Sequence, residues 1–167
     1  MRTSTSRVNL RLATRPGDLG WMVMAHGEIY YRQFGYTTEF EALVAGIVGE
    51  YATHHDPSCE AVWIAEVDGV RAGCVMLIAG NEPGVARLRV LLVSPAARGH
   101  GLGTRLVEQC LTFARESGYR QVTLWTTAEQ GAARRVYENA GFTKVDEEPP
   151  RHRWGHDLVG QTWLLDL

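Results

Sequence analysis

The chain has 167 residues, 45% of them apolar and 22% charged, which is long enough for one packed core and matches ordinary globular usage. Disordered, collagen-like and coiled-coil classes drop out. With 17 Lys and Arg against 19 Asp and Glu, the formal charge is −2, too small a cationic excess to grip a phosphate backbone, so nucleic acid is not an expected partner.

The longest nearly uncharged run, Ala72–Ala86, is broken by Gly80, Pro83 and Gly84 and falls short of the roughly 20 apolar residues of a membrane span. Met1–Arg11 carries Arg2, Arg7 and Arg11 but no continuous apolar stretch, so no secretory signal and no membrane association are expected, and a cytoplasmic setting is. Cys59, Cys74 and Cys110 are odd in number and form no Cys-x-x-Cys pair, which argues against a disulfide framework or a zinc cluster. They read as small core hydrophobes.

In chain order, Val8–Ala13 alternates apolar and polar residues and predicts a half-buried strand that stops before Pro16-Gly17. Apolar residues then recur at helical spacing from Asp18 to Phe34, with Gly35 as a stop. Thr38 and Glu41 stand at the spacing of a capping box and open a second helix to about Tyr51. Ala61–Val67 and Arg71–Ala79 flank Asp68-Gly69, a strong signal for a tight antiparallel hairpin. Val85–Val93 is a longer strand ended by Pro95, and Leu102–Ser117 the next helix, with Leu102, Leu106, Val107, Cys110, Leu111 and Ala114 inward. Gln121–Trp125 is a short strand, Glu129–Ala140 a helix, Phe142–Val145 a strand, Pro149–Gly155 a loop, and Gln161–Leu167 a closing strand. The order β-α-α-β-β-β-α-β-α-β-β predicts a single α/β domain over residues 1–167, a mixed sheet with helices on both faces.

The chemistry concentrates where Leu91-Leu92-Val93 runs through Ser94-Pro95-Ala96-Ala97 into Arg98-Gly99-His100-Gly101-Leu102-Gly103-Thr104 and a helix. A glycine-rich turn that opens a helix aims unpaired amides and partial positive charge outward, which suits a diphosphate. A Walker loop would need Gly-Lys-Ser/Thr, and a dinucleotide fold a glycine where Thr104 stands. Neither template fits. What remains, Arg-x-x-Gly-x-Gly after an apolar strand, resembles the acyl-CoA loop of the GCN5-related N-acetyltransferase (GNAT) family.

The resemblance runs from Val85 to Phe142 and implies a GNAT-like sheet with acetyl-CoA as cosubstrate. Strands Val85–Val93 and Gln121–Trp125 would splay apart. Backbone around Leu91, Leu92 and Val93 would hold the acetyl-pantetheine end, and Arg98, Gly99, His100, Gly101, Leu102, Gly103 and Thr104 would surround the diphosphate. Ala133-x-x-x-Tyr137-x-x-x-Gly141-Phe142 is similar to the family pattern whose tyrosine protonates the departing CoA thiolate, so Tyr137 inherits the role of general acid. Gln130 stands where many members carry a pantetheine-binding asparagine, and Arg134 is placed to approach the CoA phosphates.

The implied reaction is direct transfer of the acetyl group to a primary amine, either a small molecule or a peptide, with no covalent enzyme intermediate. No carboxylate lies on Gly84–Val93 to act as base; Arg87 and Arg89 stand there instead and would attract an acidic group on the acceptor if they share a strand face. His26 and Tyr30, four residues apart, share one helix face and are the expected acceptor-site pair. His152 and His156 have a metal-like spacing, but the prolines before them and Gly155 between them argue against a metal-binding helix, so no metal site is expected. The stretches Thr14–Gly27 and Gly155–Trp163 resemble acetyltransferase domains joined to MarR-type regulators, here as a stand-alone version or an excised domain. A homodimer is compatible with the family. The alternative is a non-catalytic acyl-CoA sensor that uses the same loop.

Overall fold

The computed structural model describes residues 5–167; Arg2 and the opening of the Met1–Arg11 segment lie outside the described residues. Strand β1 (Val8–Leu12) is followed by helices α1 (Asp18–Phe34) and α2 (Thr38–His54), then by a meander of β2 (Ala61–Val67), β3 (Val70–Ala79) and β4 (Val85–Val93). A 3-10 turn at Pro95–Ala97 leads to α3 (Leu102–Glu116), β5 (Gln121–Thr127), α4 (Gly131–Ala140) and β6 (Thr143–Glu147). A ribbon of β7 (Arg151–Arg153) and β8 (His156–Leu158) precedes β9 (Gly160–Asp166). The sheet runs β1-β2-β3-β4-β5-β9-β6, with β7 and β8 as a separate pair. Strands β4 and β5 are parallel, while the other described neighbours are antiparallel.

Local chemistry accounts for the joints. Asp68 and Gly69 both take positive φ, 50° and 79°, the twist of a two-residue type I′ turn, and they set Val67 against Val70 in the ladder. The alternation along each strand sends its apolar residues to two layers. Ala86 and Leu88 of β4 and Val122 and Leu124 of β5 join Leu106, Val107, Cys110 and Ala114 of α3 in one core. On the other face Val62, Ile64, Cys74 and Met76 pack under Met22, Ile29, Val44 and Val48 of α1 and α2. The helices therefore cover both faces.

A charged knot ties β1, α1 and β3 together. The fully buried Asp18 carboxylate accepts from Arg11 Nη1 and Nη2 at 2.7 and 2.9 Å, from Arg71 Nε at 2.9 Å and from the Arg15 amide at 2.9 Å. Arg11 also pairs with Glu66. The Arg11 hydrogen bond, opposed in part by burial, holds the Asp18 carboxyl well below the usual carboxylate range.

Several boundaries differ from the sequence expectation. The N-cap of α2 is Thr37, without a side-chain cap bond, and Glu41 instead lies against Gly27 of α1, where a side chain would collide with it. Helix α4 begins at Gly131 rather than Glu129, because Glu129 sits in a backbone turn in which Gln130 N donates to Thr127 O at 3.1 Å, and its carboxylate accepts from the Tyr36 hydroxyl. Residues expected as a loop form the β7–β8 ribbon, whose central Trp154 and Gly155 take φ of 52° and 86°.

Candidate active site: a cleft at a sheet gap and an adjoining pocket

Strands β4 and β5 pair only through Val85–Arg87 and Gln121–Thr123, although β4 continues to Val93 and β5 to Thr127. Beyond Arg87 the two diverge. Backbone groups of β4 on that side are left without a ladder partner, the arrangement to which an extended ligand arm can add. A bulge sharpens the divergence: Met76 pairs with Arg89 and Cys74 with Leu92, so Val90 and Leu91 together oppose Val75. Val90 takes φ 49°, a strained conformation for a β-branched residue at a cost of about 1–3 kcal/mol.

The gap opens into a cleft of about 490 Å³ walled by Leu91, Leu92 and Val93, by the Arg98–Thr104 turn and by the start of α4. None of the amides of residues 99–104 donates to a backbone acceptor among the described residues outside regular helix bonds, and the first bond into the turn is Arg105 N to Gly101 O at 3.1 Å. No atom lies within 4 Å of where a Cβ would stand on Gly99 or Gly101. The amides at the start of α3 thus front open space, with the dipole of a 15-residue helix behind them. This is a fitting cradle for a diphosphate.

Next to the cleft lies a smaller pocket of about 110 Å³, and Tyr30, Leu91 and Gln130 belong to the walls of both. Tyr137 of α4 reaches it from the far side of the gap. Its hydroxyl makes no hydrogen bond to any described residue, and burial, then the nearby Tyr30 and Cys110, push it well above the usual phenol value. It stays protonated at neutral pH. Tyr30 stacks on His26 with ring centroids 5.6 Å apart, and its hydroxyl lies 3.4 Å from Leu91 O and 3.5 Å from Gln130 Oε1.

His26 Nδ1 is 2.7 Å from Met22 O and must donate there, because a carbonyl can only accept. The remaining nitrogen, Nε2, therefore carries a lone pair. It is buried without a partner, as is Thr126 Oγ1, and both residues line the same pocket. Burial lowers the His26 pKa to about 4, so the ring is neutral. Arg87 and Arg89 also line this pocket, and no carboxylate does. Desolvation, then the neighbouring Arg87, bring Arg89 down to about 10.

The structure thus gathers Leu91, Leu92, Val93, Arg98, Gly99, Gly101, Leu102, Gly103, Thr104 and Gln130 around the cleft, and His26, Tyr30, Arg89 and Tyr137 around the pocket. Two of the expected residues stand apart. His100 turns its Nδ1 back to Ala97 O at 2.9 Å, which holds the turn rather than walling the cleft. Arg134 lies on α4 behind the cleft wall, its Nη2 3.9 Å from where a Cβ would stand on Gly131 and its Nε buried. His156 orders its loop through Gly35 O at 3.2 Å. Sequence patterns did not reveal Phe34, Glu129, Trp125, Thr126 and Trp154 as wall residues; the one available signal was Trp154-Gly155, which occupies the two-residue turn position that Asp68-Gly69 fills elsewhere.

A mixed sheet whose one parallel pair parts beside a helix N-terminus fits the acyl-CoA-dependent transferase class of α/β folds. The profile of the acetyltransferase (GNAT) family matches residues 20–142, and the chain belongs to that family. It is 33% identical over 98 residues to the uncharacterized N-acetyltransferase YjgM of Escherichia coli, covering 58% of each chain. It is 35% identical over 99 residues to mycothiol acetyltransferase of Beutenbergia cavernae, covering 59% of this chain and 33% of that protein. The match therefore spans about a third to three fifths of the length of these curated relatives. Among solved structures, a GNAT-family acetyltransferase of Staphylococcus aureus Mu50 superposes with a TM-score of 0.78 at 16% identity, over 96% of this chain and 99% of that one. The structure of yncA from Salmonella typhimurium with its cofactor acetyl-CoA gives 0.75 at 18%, over 96% and 94%. At these identities the structures establish the fold.

Proposed function

We propose that the chain is an N-acetyltransferase domain that moves the acetyl group of acetyl-CoA directly to a primary amine, on a small molecule or a peptide, with Tyr137 as general acid. The observation that carries this is the row of unpartnered amides at residues 99–104 facing a cleft continuous with the unpaired side of β4. Acetyl-CoA, when bound, supplies a thioester whose C–S bond breaks as a C–N bond to the amine forms. Leu91, Leu92 and Val93 hold the extended arm along β4, and amides from Gly99 to Thr104 receive the diphosphate. Gln130, the residue before α4, closes the cleft over Tyr30.

The chain's own groups manage the protons. Tyr137, held protonated and without an internal partner, donates to sulfur as negative charge develops there, and the proton released by the nitrogen as the amide forms restores the phenol. His26 Nε2, neutral and lone-paired, accepts from an amine N–H and orients the nucleophile. The buried Cys74 and Cys110, whose thiols burial pushes up, take no covalent part. The MarR-associated subfamily stays a proposal, supported by the Thr14–Gly27 and Gly155–Trp163 stretches.

Calorimetric titration with CoA and acetyl-CoA, together with thiol release over an amine panel, tests the assignment. Tight binding and amine-dependent release are expected. Binding without release for any amine would replace the enzyme by a sensor, and no binding would overturn the site.

A further inference from the structure

Arg87 and Arg89 stand two residues apart on β4, opposite Ile78 and Met76, and their side chains share the face that looks into the pocket beside the cleft. Neither forms an ion pair with any described carboxylate. Two carboxylates, Glu50 and Glu60, front a groove that shares Arg89, but neither lies within ion-pair distance of it. Glu60 accepts from the amides of Asp56 and Ala79 at 2.8 and 2.9 Å, and Glu50 lies 3.4 Å from His54. Two adjacent half-buried cations with no counter-charge form an arrangement that repels itself unless an anion comes from outside.

We propose that this pocket selects a primary amine that also bears a carboxylate, of the free amino acid class, with Arg89 and Arg87 as its anion-binding pair. The proposal rests on the acyl-transfer assignment above and names its acceptor. Guanidinium groups meet a planar carboxylate through paired hydrogen bonds. On the amine side, the orphaned His26 Nε2 and Thr126 Oγ1 offer a lone pair and a hydroxyl, and Tyr30, Leu91 and Gln130 form the border with the cleft. Aromatic and aliphatic side chains, Phe40, Val44, Trp125 and Trp154, complete a volume of about 110 Å³, the scale of a single small molecule rather than a polymer. Trp154 comes from the β7–β8 ribbon, and Arg153 of the same ribbon sits 5.5 Å from the centre of the Trp125 ring.

The same charges answer the absence of a carboxylate base. Two guanidinium groups disfavour an ammonium ion in the pocket and favour the neutral amine, whose proton leaves to solvent on entry. An amino acid anion is thus retained by its carboxylate and presented with its nitrogen uncharged. A simple alkylammonium gains nothing from the arginines and is repelled by them.

The test compares acceptors with and without the carboxylate. With acetyl-CoA saturating, thiol release is measured for the standard amino acids, their carboxamides, and the corresponding amines without the carboxylate. For the best amino acid, kcat/KM is expected to exceed that of its amide by at least about 10-fold. In Arg89→Gln this ratio falls toward one, chiefly through KM for the acid, and Arg89→Lys restores part of it. Calorimetry of CoA-loaded protein with N-acetyl amino acids and N-acetyl amino acid amides gives a second readout, with binding of the acids alone expected. Amides or simple amines turned over as well as acids would overturn the proposal, as would transfer to no amino acid or a ratio that survives Arg89→Gln. The wild-type comparison stands even if the variants do not fold. Loss of CoA binding in the wild type would instead refute the acyl-transfer assignment, whereas acetylation without carboxylate preference refutes only this inference.

Discussion

Replacement of Tyr137 by Phe removes one oxygen and leaves the ring, with its edge-on contact to Phe142 at a centroid distance of 5.8 Å. The hydroxyl has no partner among the described residues, so no donor or acceptor is orphaned. Stability should stay within about 1 kcal/mol, or a few degrees in Tm. The catalytic effect is of another order. A CoA thiol with pKa near that of cysteine, about 8.5, is a fair leaving group in water, but in the pocket the developing thiolate would depend on the proposed donor, the Tyr137 phenol. A hydrogen bond to a charged group contributes about 1.5–3 kcal/mol, so kcat should fall by roughly 10-fold to 150-fold. Thiol release under saturating acetyl-CoA measures kcat, calorimetry measures CoA affinity, and a melting curve checks the fold. Because the phenol is raised above its ordinary value of about 10, the wild-type rate should show no alkaline decline from this group below about pH 10. Unchanged kcat, or a loss explained wholly by weaker CoA binding, would refute the role.

The buried neutral His26 makes stability depend on pH. Its pKa falls from about 6.5 in the unfolded chain to about 4 in the fold, so its contribution is complete above pH 6.5 and is lost as the pH drops toward 4, by up to about 3 kcal/mol. Urea midpoints at pH 7 and 4.5 should show this, and His26→Gln should flatten the difference; an unchanged slope would contradict the burial argument. Asp18→Ala removes the carboxylate that Arg11 and Arg71 share and leaves Arg11 with Glu66 alone, which should cost about 3 kcal/mol, read as a drop in urea midpoint. In the intact protein the Asp18 contribution should persist at neutral pH and erode only below about pH 4, since its carboxyl is depressed in the fold. With Cys74 and Cys110 buried and Cys59 half-buried, brief iodoacetamide treatment should add one label by mass and leave acetyl transfer intact. Inactivation that tracks the label would reopen a cysteine role.

The fold was legible where a local rule and the tertiary demand coincide. Helix α1 spans Asp18–Phe34 as its apolar spacing predicts, and Asp68-Gly69 makes the hairpin that its turn chemistry requires. The cleft was legible through Arg98–Thr104 because the positive φ and the open approach to a helix start at Gly99 and Gly101 call for glycine, which shows in the sequence. The pocket was legible only in part: the sequence offered His26, Tyr30, Arg89 and Tyr137, whereas Trp125, Thr126 and Trp154 come together only through the pairing of β5 with β9 and the ribbon that follows β6. Glu41 shows the opposite failure: a local capping rule lost to the space that Gly27 leaves on α1. The bulge at Val90 left no trace in the residues, since a valine ordinarily avoids positive φ and only the mismatch between β3 and β4 imposes it.

The short junction between β4 and β5 also shapes how the protein behaves when loaded. Two leaves of one sheet meet through only Val85–Arg87 and Gln121–Thr123, and a pantetheine arm lodged between them would supply hydrogen-bond partners to ribbons that otherwise end in open air. Bound there, acetyl-CoA would serve as a keystone as well as a reactant: at a hundredfold excess over its Kd it would add about 2.7 kcal/mol to the folded state. Each turnover that swaps one thioester for the next would briefly slacken the architecture that awaits it.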